Sequence, residues 1–155
     1  MYNEYVMEIF KNPKNVGMIH GANGIGQVGN AKCGDIMKIY LRIEDGKIAD
    51  ASFKTFGCVA AIVSTSIATE LIKGKTLEEA RKLKNSEILK MMGPVPTNKI
   101  HCSVLAEEAI NAAIDDYEEK LLKEQVKELK DNGKEVPEEL TLKLKEYKER
   151  KMKYV

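Results

Sequence analysis

Three cysteines, Cys33, Cys58 and Cys102, each fall where one structural element should give way to the next. Cys33 precedes Gly34-Asp35, where a loop enters a strand. Cys58 follows Gly57 at the exit of another strand, and Cys102 follows His101 at a helix entrance. Loops at element ends are where a scaffold presents reactive groups, whereas buried structural thiols more often sit mid-element on an apolar face. The N-terminus of a helix, with its unpaired N–H groups and partial positive charge, also favours a thiolate at His101-Cys102.

Four chemistries compete for these residues. The spacings are too wide for the close cysteine pairs of a zinc finger, so any shared site is assembled by the fold. Cys33, Cys58, Cys102 and His101 would form a tetrahedral thiolate–imidazole set, with Asp35 as an alternative oxygen ligand. The same set suits a 2Fe–2S cluster, in which three thiolates leave the fourth position to imidazole or carboxylate. A Cys102–His101 hydrolytic dyad is disfavoured, because sequence neighbours rarely point at one another and such enzymes draw their histidine from far along the chain. The bland alternative is three buried thiols with no shared role.

The elements that must hold these residues are legible from periodicity. Tyr5, Val6, Ile9 and Phe10 mark a helix over 3–11 that ends before Asn12-Pro13. The Gly- and Asn-rich stretch 12–32 reads as a long loop. Within it, Gly24-Ile25-Gly26-Gln27-Val28-Gly29 matches the dinucleotide fingerprint. No strand leads into it and no helix opens from it, so its glycines are assigned to loop flexibility. From Asp35, Met37, Ile39, Leu41 and Ile43 share one face of a strand. Asp45-Gly46 supplies a hairpin turn, and Ala49, Ala51 and Phe53 continue the inward alternation on the return strand. A third strand or covering helices must complete the sheet.

A helix follows from Val59 to the stop at Gly74, and Thr76 with Glu79 makes a capping box. A short helix occupies 86–92, and a helix from Ser103 buries Leu105, Ala109, Ala112 and Ala113, with Ile110 and Ile114 beside them. From about Asp115 the composition turns to Lys and Glu. Leu122, Val126 and Leu129 form one narrow stripe; Leu140, Leu144 and Tyr147 form a second, beyond the break at Asp131-Asn132-Gly133. The segment reads as a helical extension or a helix hairpin lying on the domain, with a solvated charged tail as the competing reading. The fold class expected is α+β: a small, mainly antiparallel three-stranded sheet with helices packed on it, plus a C-terminal charged helical extension.

Composition sets outer bounds. A chain of 155 residues can bury a core as one domain, and its formal charge of +1 gives no electrostatic case for nucleic acid or an anionic membrane. No apolar run approaches the roughly 18 residues a membrane helix needs. The first residues lack the layout of a signal peptide, and an odd number of thiols argues against a disulfide framework, so the expected compartment is the cytoplasm.

In order and spacing, "NPKNVG", "AKCGDIMKIYL", "ASFKTFGC" and "KIHCSVLAEEAINAAI" resemble the motifs of the IscU/NifU-type iron–sulfur cluster assembly scaffolds. The resemblance covers residues 1–120 as a scaffold domain and leaves 121–155 as the charged extension. It implies a protein without turnover of its own. Such a protein accepts persulfide sulfur from a cysteine desulfurase, takes iron, builds a transient 2Fe–2S cluster and passes it to apo iron–sulfur client proteins. It implies Cys33, Cys58, Cys102, His101 and Asp35 as ligands, with Zn2+ or Fe2+ there in the cluster-free form. Asp35 is associated with cluster lability, Cys102 with persulfide acceptance, and Lys99 and Tyr2 with supporting roles. A homodimer or trimer is compatible with the family.

The departures are specific. Val59-Ala60-Ala61 stands where the family has Gly-Ser-Ala. The segment bound by a dedicated Hsp70-type chaperone matches only at Pro96 and Lys99, so that partner is not implied. His101 stands where the SufU branch, the zinc-dependent sulfurtransferase alternative, carries lysine.

Overall fold

The computed structural model describes residues 2–30, 34–95 and 100–153, with backbone alone at 30, 100–104, 152 and 153. The element order is α1 (Glu4–Lys11), β1 (Gly24–Asn30), β2 (Asp35–Glu44), β3 (Lys47–Phe56), α2 (Val59–Ile72), α3 (Leu77–Arg81), α4 (Asn85–Met92), α5 (Ile100–Asp131) and α6 (Glu138–Lys153). The strands form one antiparallel sheet in the order β1-β2-β3. The α+β expectation holds, including the three strands and the C-terminal helices.

The hairpin forms where the sequence places it. Asp45 and Gly46 both adopt left-handed backbone (φ 52° and 74°), the two-residue turn whose twist matches its flanking strands. One expectation there fails. The register slips at Arg42/Ile43, so Ile43 opposes Ile48 and Arg42 opposes Asp50. This bulge leaves Ala49 outside the ladder and exposed, while Ile48 turns inward and is fully buried. Beyond it Ala51 and Phe53 point into the core as the alternation requires.

The stretch read as a loop contains β1, and its glycines have a packing role. β1 pairs with β2 from Gly24↔Leu41 to Asn30↔Asp35. Helix α5 lies so close over this strand that a Cβ on Gly26 would stand 2.4 Å from Ala113 N and 2.6 Å from Ala109 O. A Cβ on Gly24 would stand 2.7 Å from Ala113 O. No side chain fits there, and the small residues on both surfaces let helix and strand backbones touch. The correction follows from this: glycine erased the alternation that normally reveals a strand, and the reason for glycine lies on another element.

Helix α2 is buried over most of its surface, from Ala60, Ala61 and Val63 to Ile72, with Glu70 exposed. The "NPKNVG" motif staples α2 to β3. Phe53 N–H donates to Asn15 O and Gly17 N–H to Phe53 O (2.8 Å each). Asn15 Nδ2 reaches Thr69 Oγ1 at 3.0 Å, and Lys14 N–H reaches Ser66 Oγ at 3.0 Å. The Thr76–Glu79 capping box is formed.

α5 starts at Ile100, three residues ahead of the expected Ser103, and continues unbroken through the change of composition to Asp131. Its inner face buries Leu105, Ala106, Ala109, Ile110, Ala113 and Ile114. α6 folds back on it, and the two stripes Leu122, Val126, Leu129 and Leu140, Leu144, Tyr147 are half-buried among exposed neighbours. The helix-hairpin reading is the one observed. Beneath α6, Asp115, Asp116 and Glu119 of α5 are buried. Arg150 Nη1 lies 3.3 Å from Asp115, and Lys151 Nζ lies 2.9 Å from Asp116 and 3.1 Å from Glu119. Arg81 of α3 reaches Asp115 at 2.5 Å, and Tyr147 donates to Glu118.

Candidate functional site

Asp35 is the first residue of β2, and Cys58 is the N-cap of α2 two residues beyond the end of β3. Because Ile36 pairs with Phe56, both belong to the same end of the sheet. The Cys58 thiol lies 3.7 Å from Asp35 Oδ2, within range of a weak S–H···O bond. Asp35 is only 4 % exposed, whereas Cys58 is partly open.

Gly57 makes this pairing possible. A Cβ there would sit 2.9 Å from both Cγ and Oδ1 of Asp35 and 3.2 Å from the Ala61 Cβ. The glycine is therefore a positioning residue that sequence reading noted only as a neighbour of cysteine. Val59 packs against the core edge and Ala60 and Ala61 are fully buried, so the departure from Gly-Ser-Ala fills the interior beneath Cys58.

The start of α5 approaches the same end of the sheet. Gly24 lies against Ala113 and Tyr117, Gly26 against Ala109 and Ala113, so α5 runs antiparallel to β1. From Gly26 to Asn30 the strand advances roughly 13 Å at about 3.3 Å per residue. The same distance along a helix at about 1.5 Å per residue takes roughly nine residues, from the 111 region back to about 102. The backbone of His101 and Cys102, in the first turn of α5, is thus carried alongside Asn30 and Asp35. Their side chains, like Cys33 and Lys99 entirely, lie outside the described residues. Tyr2 packs partly buried against the core.

Among the described residues no three His, Cys, Asp or Glu side chains converge as a metal site, and Asp35 with Cys58 is the pair of expected ligands brought together. A soft thiol beside a hard carboxylate suits a borderline cation or an iron, and a partly open sulfur suits a ligand that must exchange. A cavity of about 630 Å3 between α1, α2 and α4, lined by Tyr5, Ile9, Ser66, Ile67 and Met91 among others, includes neither residue. The pair lies instead at the end of the sheet, with the Asp35 carboxylate buried and the Cys58 sulfur partly open. No helix among the described residues is long and apolar enough to cross a membrane.

Comparison with known proteins identifies the family. Residues 1–124 match the family model described as NifU-like N terminal domain. The chain is 50 % identical over 117 residues to iron–sulfur cluster assembly scaffold protein IscU 1 of Archaeoglobus fulgidus, covering 76 % of each. It is 48 % identical over 123 residues to the IscU scaffold protein of Azotobacter vinelandii, covering 77 % of this chain and 95 % of that one. A crystal structure from Fervidobacterium islandicum AW-1, described as a scaffold protein for the SUF system, aligns with a TM-score of 0.61 at 27 % identity, covering 72 % of this chain and 95 % of that chain. In sequence and in fold, the chain belongs to the NifU-like N-terminal domain family.

Proposed function

We propose that this protein is a scaffold on which an iron–sulfur cluster is assembled and from which it is handed on. The observation that carries the reading is the meeting of the Asp35 carboxylate and the Cys58 thiol at the sheet end toward which the start of α5 runs. Its relatives in Archaeoglobus fulgidus and Azotobacter vinelandii bear the name of such scaffolds, and one in Drosophila melanogaster is named an assembly enzyme.

In this reading Cys33, Cys58 and Cys102 supply three thiolates to a 2Fe–2S cluster, and His101 or Asp35 the fourth ligand. The Cys102 thiolate attacks the sulfane sulfur of a persulfide on a cysteine desulfurase. The desulfurase cysteine leaves as a thiolate, and Cys102 keeps the persulfide. Converting that sulfur to sulfide takes two electrons from an external reductant. Asp35 is a hard, exchangeable ligand that eases release of the cluster to apo-proteins. The protein performs no turnover of its own. Residues 1–120 do this work, and in the extension 121–155 helix α6 braces α5. An odd number of cysteines suits a reducing compartment such as the cytoplasm.

A second reading is a zinc-dependent sulfurtransferase that relays persulfide without carrying a cluster. Incubation with desulfurase, cysteine and iron, followed by mass mapping and visible spectra, separates the two. The scaffold forms a coloured cluster that fails to form in Cys33→Ala, Cys58→Ala and Cys102→Ala variants. The sulfurtransferase stays colourless, keeps zinc and carries persulfide.

A further inference from the structure

Two cavities flank the C-terminal half of α2. The first, of about 630 Å3, lies between α1, α2 and α4; the second, of about 600 Å3, lies between the end of α2, α3 and α4. Tyr5, Ile9 and Ile67 give the first an apolar lining, and Leu71 and Leu83 do the same for the second. The cavities meet at Met91, which lines both and is 43 % exposed.

Charge around them is unbalanced. Lys11 and Lys14 line the first cavity and Lys75 and Lys90 the second, and among the described residues none of the four is in an ion pair. The lining carboxylates are mostly engaged. Glu70 accepts from Asn15 and pairs with Lys73, Glu79 closes the Thr76 capping box, and Glu87 accepts from Lys84 N–H. Glu8 is left without such a partner among the described residues. Four ammoniums thus surround an apolar floor with one carboxylate to balance them.

We propose that the paired cavities seat an amphipathic helix of another protein, with large apolar side chains on either side of Met91 and carboxylates along its flanks. The chemistry of the occupant follows from the walls. They are helices, whose backbone groups are bonded internally and offer no ladder to an incoming strand. A segment that buries an apolar face against them must satisfy its own backbone, so it is a helix, with anchors at i, i+4 and i+7. Carboxylates on its flanks meet Lys11, Lys14, Lys75 and Lys90. Methionine suits the ridge between the cavities, because its unbranched, polarisable side chain adapts to the group laid against it. The lining of α2 begins at Ser66, roughly 12 Å along the helix from Cys58 at about 1.5 Å per residue. The docked helix therefore leaves the sheet end open, and its binding is independent of what Asp35 and Cys58 hold.

The probe is a fluorescein-labelled peptide of about 15 residues, long enough to form a helix, with leucine on one helical face and glutamate on both flanks. It is titrated into the full chain by anisotropy, beside a control peptide carrying lysine in place of glutamate. The acidic peptide binds saturably and about tenfold or more tightly than the control at low ionic strength. It gains helical circular dichroism and shifts the amide resonances of Ile67, Leu71, Leu83 and Met91. Lys11→Glu/Lys90→Glu reverses the preference between the peptides, and Met91→Gln weakens both several-fold at every salt concentration. These side chains are exposed, so both variants keep the wild-type thermal midpoint. Failure of the acidic peptide to bind saturably, equal affinity for the two peptides, or binding that neither variant alters overturns the proposal. Resonance shifts confined to other parts of the molecule overturn it as well. A chain that ignores the peptide yet sediments with vesicles of anionic phospholipid assigns the cavities to a membrane and likewise overturns it.

Discussion

The Cys58 thiol and the Asp35 carboxylate meet at 3.7 Å because the residue between β3 and Cys58 is a glycine. Any side chain at 57 would enter the space of the Asp35 carboxyl group. Gly57→Ala should therefore push Asp35 off Cys58, at a cost of about 1–3 kcal/mol of stability, typical of overpacking a filled site. Its cluster should behave like that of Asp35→Ala, surviving longer in a transfer assay than in wild type. Urea unfolding and transfer kinetics on the two variants check both parts. Faster loss in Asp35→Ala would remove the role assigned to that carboxylate.

The contact of β1 with α5 predicts a graded glycine series. Gly26→Ala places a methyl group 2.4 Å from the backbone of Ala113, where no flexible side chain can yield. It should lower stability by about 3 kcal/mol or more, at the upper end for overpacking. Gly29, whose Cβ would meet, among the described residues, Asp35 O alone at an ordinary 3.6 Å, should accept alanine with little change. Comparable losses at both positions in chemical denaturation would contradict the packing described for β1.

The junction of α6 with α5 predicts how stability depends on pH. Burial alone would raise the Asp116 and Glu119 carboxyls. Hydrogen bonds from Lys120 and Lys151, and from Ile25 N–H, outweigh it for Asp116, as those from Lys123 and Lys151 do for Glu119, so both lie below the usual carboxylate range. Groups lowered on folding stabilise above their unfolded values, near pH 4, and that contribution is lost as pH falls through the folded values. Burial and the Glu118 hydrogen bond push Tyr147 up to about 12. Its contribution is complete below its unfolded value near 10 and is lost as pH rises toward 12. The hairpin should thus add stability across the range between these limits and fall away at either end, as read from thermal midpoints of the full chain and a Tyr147→Phe/Lys151→Met variant. A difference between the two proteins that does not vary with pH would contradict the ionic description.

Replacing Lys151 alone should be milder than replacing Asp116. The Lys151 side chain is 42 % exposed and Lys120 still reaches Asp116, so Lys151→Met should cost about 1 kcal/mol or less. Asp116→Leu removes the acceptor of Ile25 N–H, at 2.9 Å, on the outer edge of β1 and leaves that donor without its partner. It should cost about 1–3 kcal/mol. Equilibrium unfolding gives the order directly, and the reverse order would mean that the carboxylate serves α6 rather than the sheet edge.

What could be read from the sequence follows a physical line. Met37, Ile39, Leu41 and Ile43 announced β2 because alternation against a one-sided core is a local signal, and Thr76 with Glu79 announced a cap because both partners lie within one turn. β1 was hidden because Gly24 and Gly26 answer to Ala109 and Ala113, far along the chain. Ala49 was placed inward because a bulge is a property of two strands, invisible in one. At the candidate site, the junction positions of Asp35 and Cys58 and the helix entrance at His101-Cys102 were legible as residue types at element ends. Gly57 as the spacer became visible only once the fold brought the Asp35 carboxyl group against it.

The central claim is that this sheet end holds a cluster it must give away. The measurement that tests it most directly is anaerobic reconstitution with iron, cysteine and a cysteine desulfurase, followed by visible and Mössbauer spectra before and after an apo-ferredoxin is added. The account predicts a 2Fe–2S signature on this protein that disappears as holo-ferredoxin forms. A colourless protein that keeps stoichiometric zinc and carries persulfide on Cys102 would contradict it.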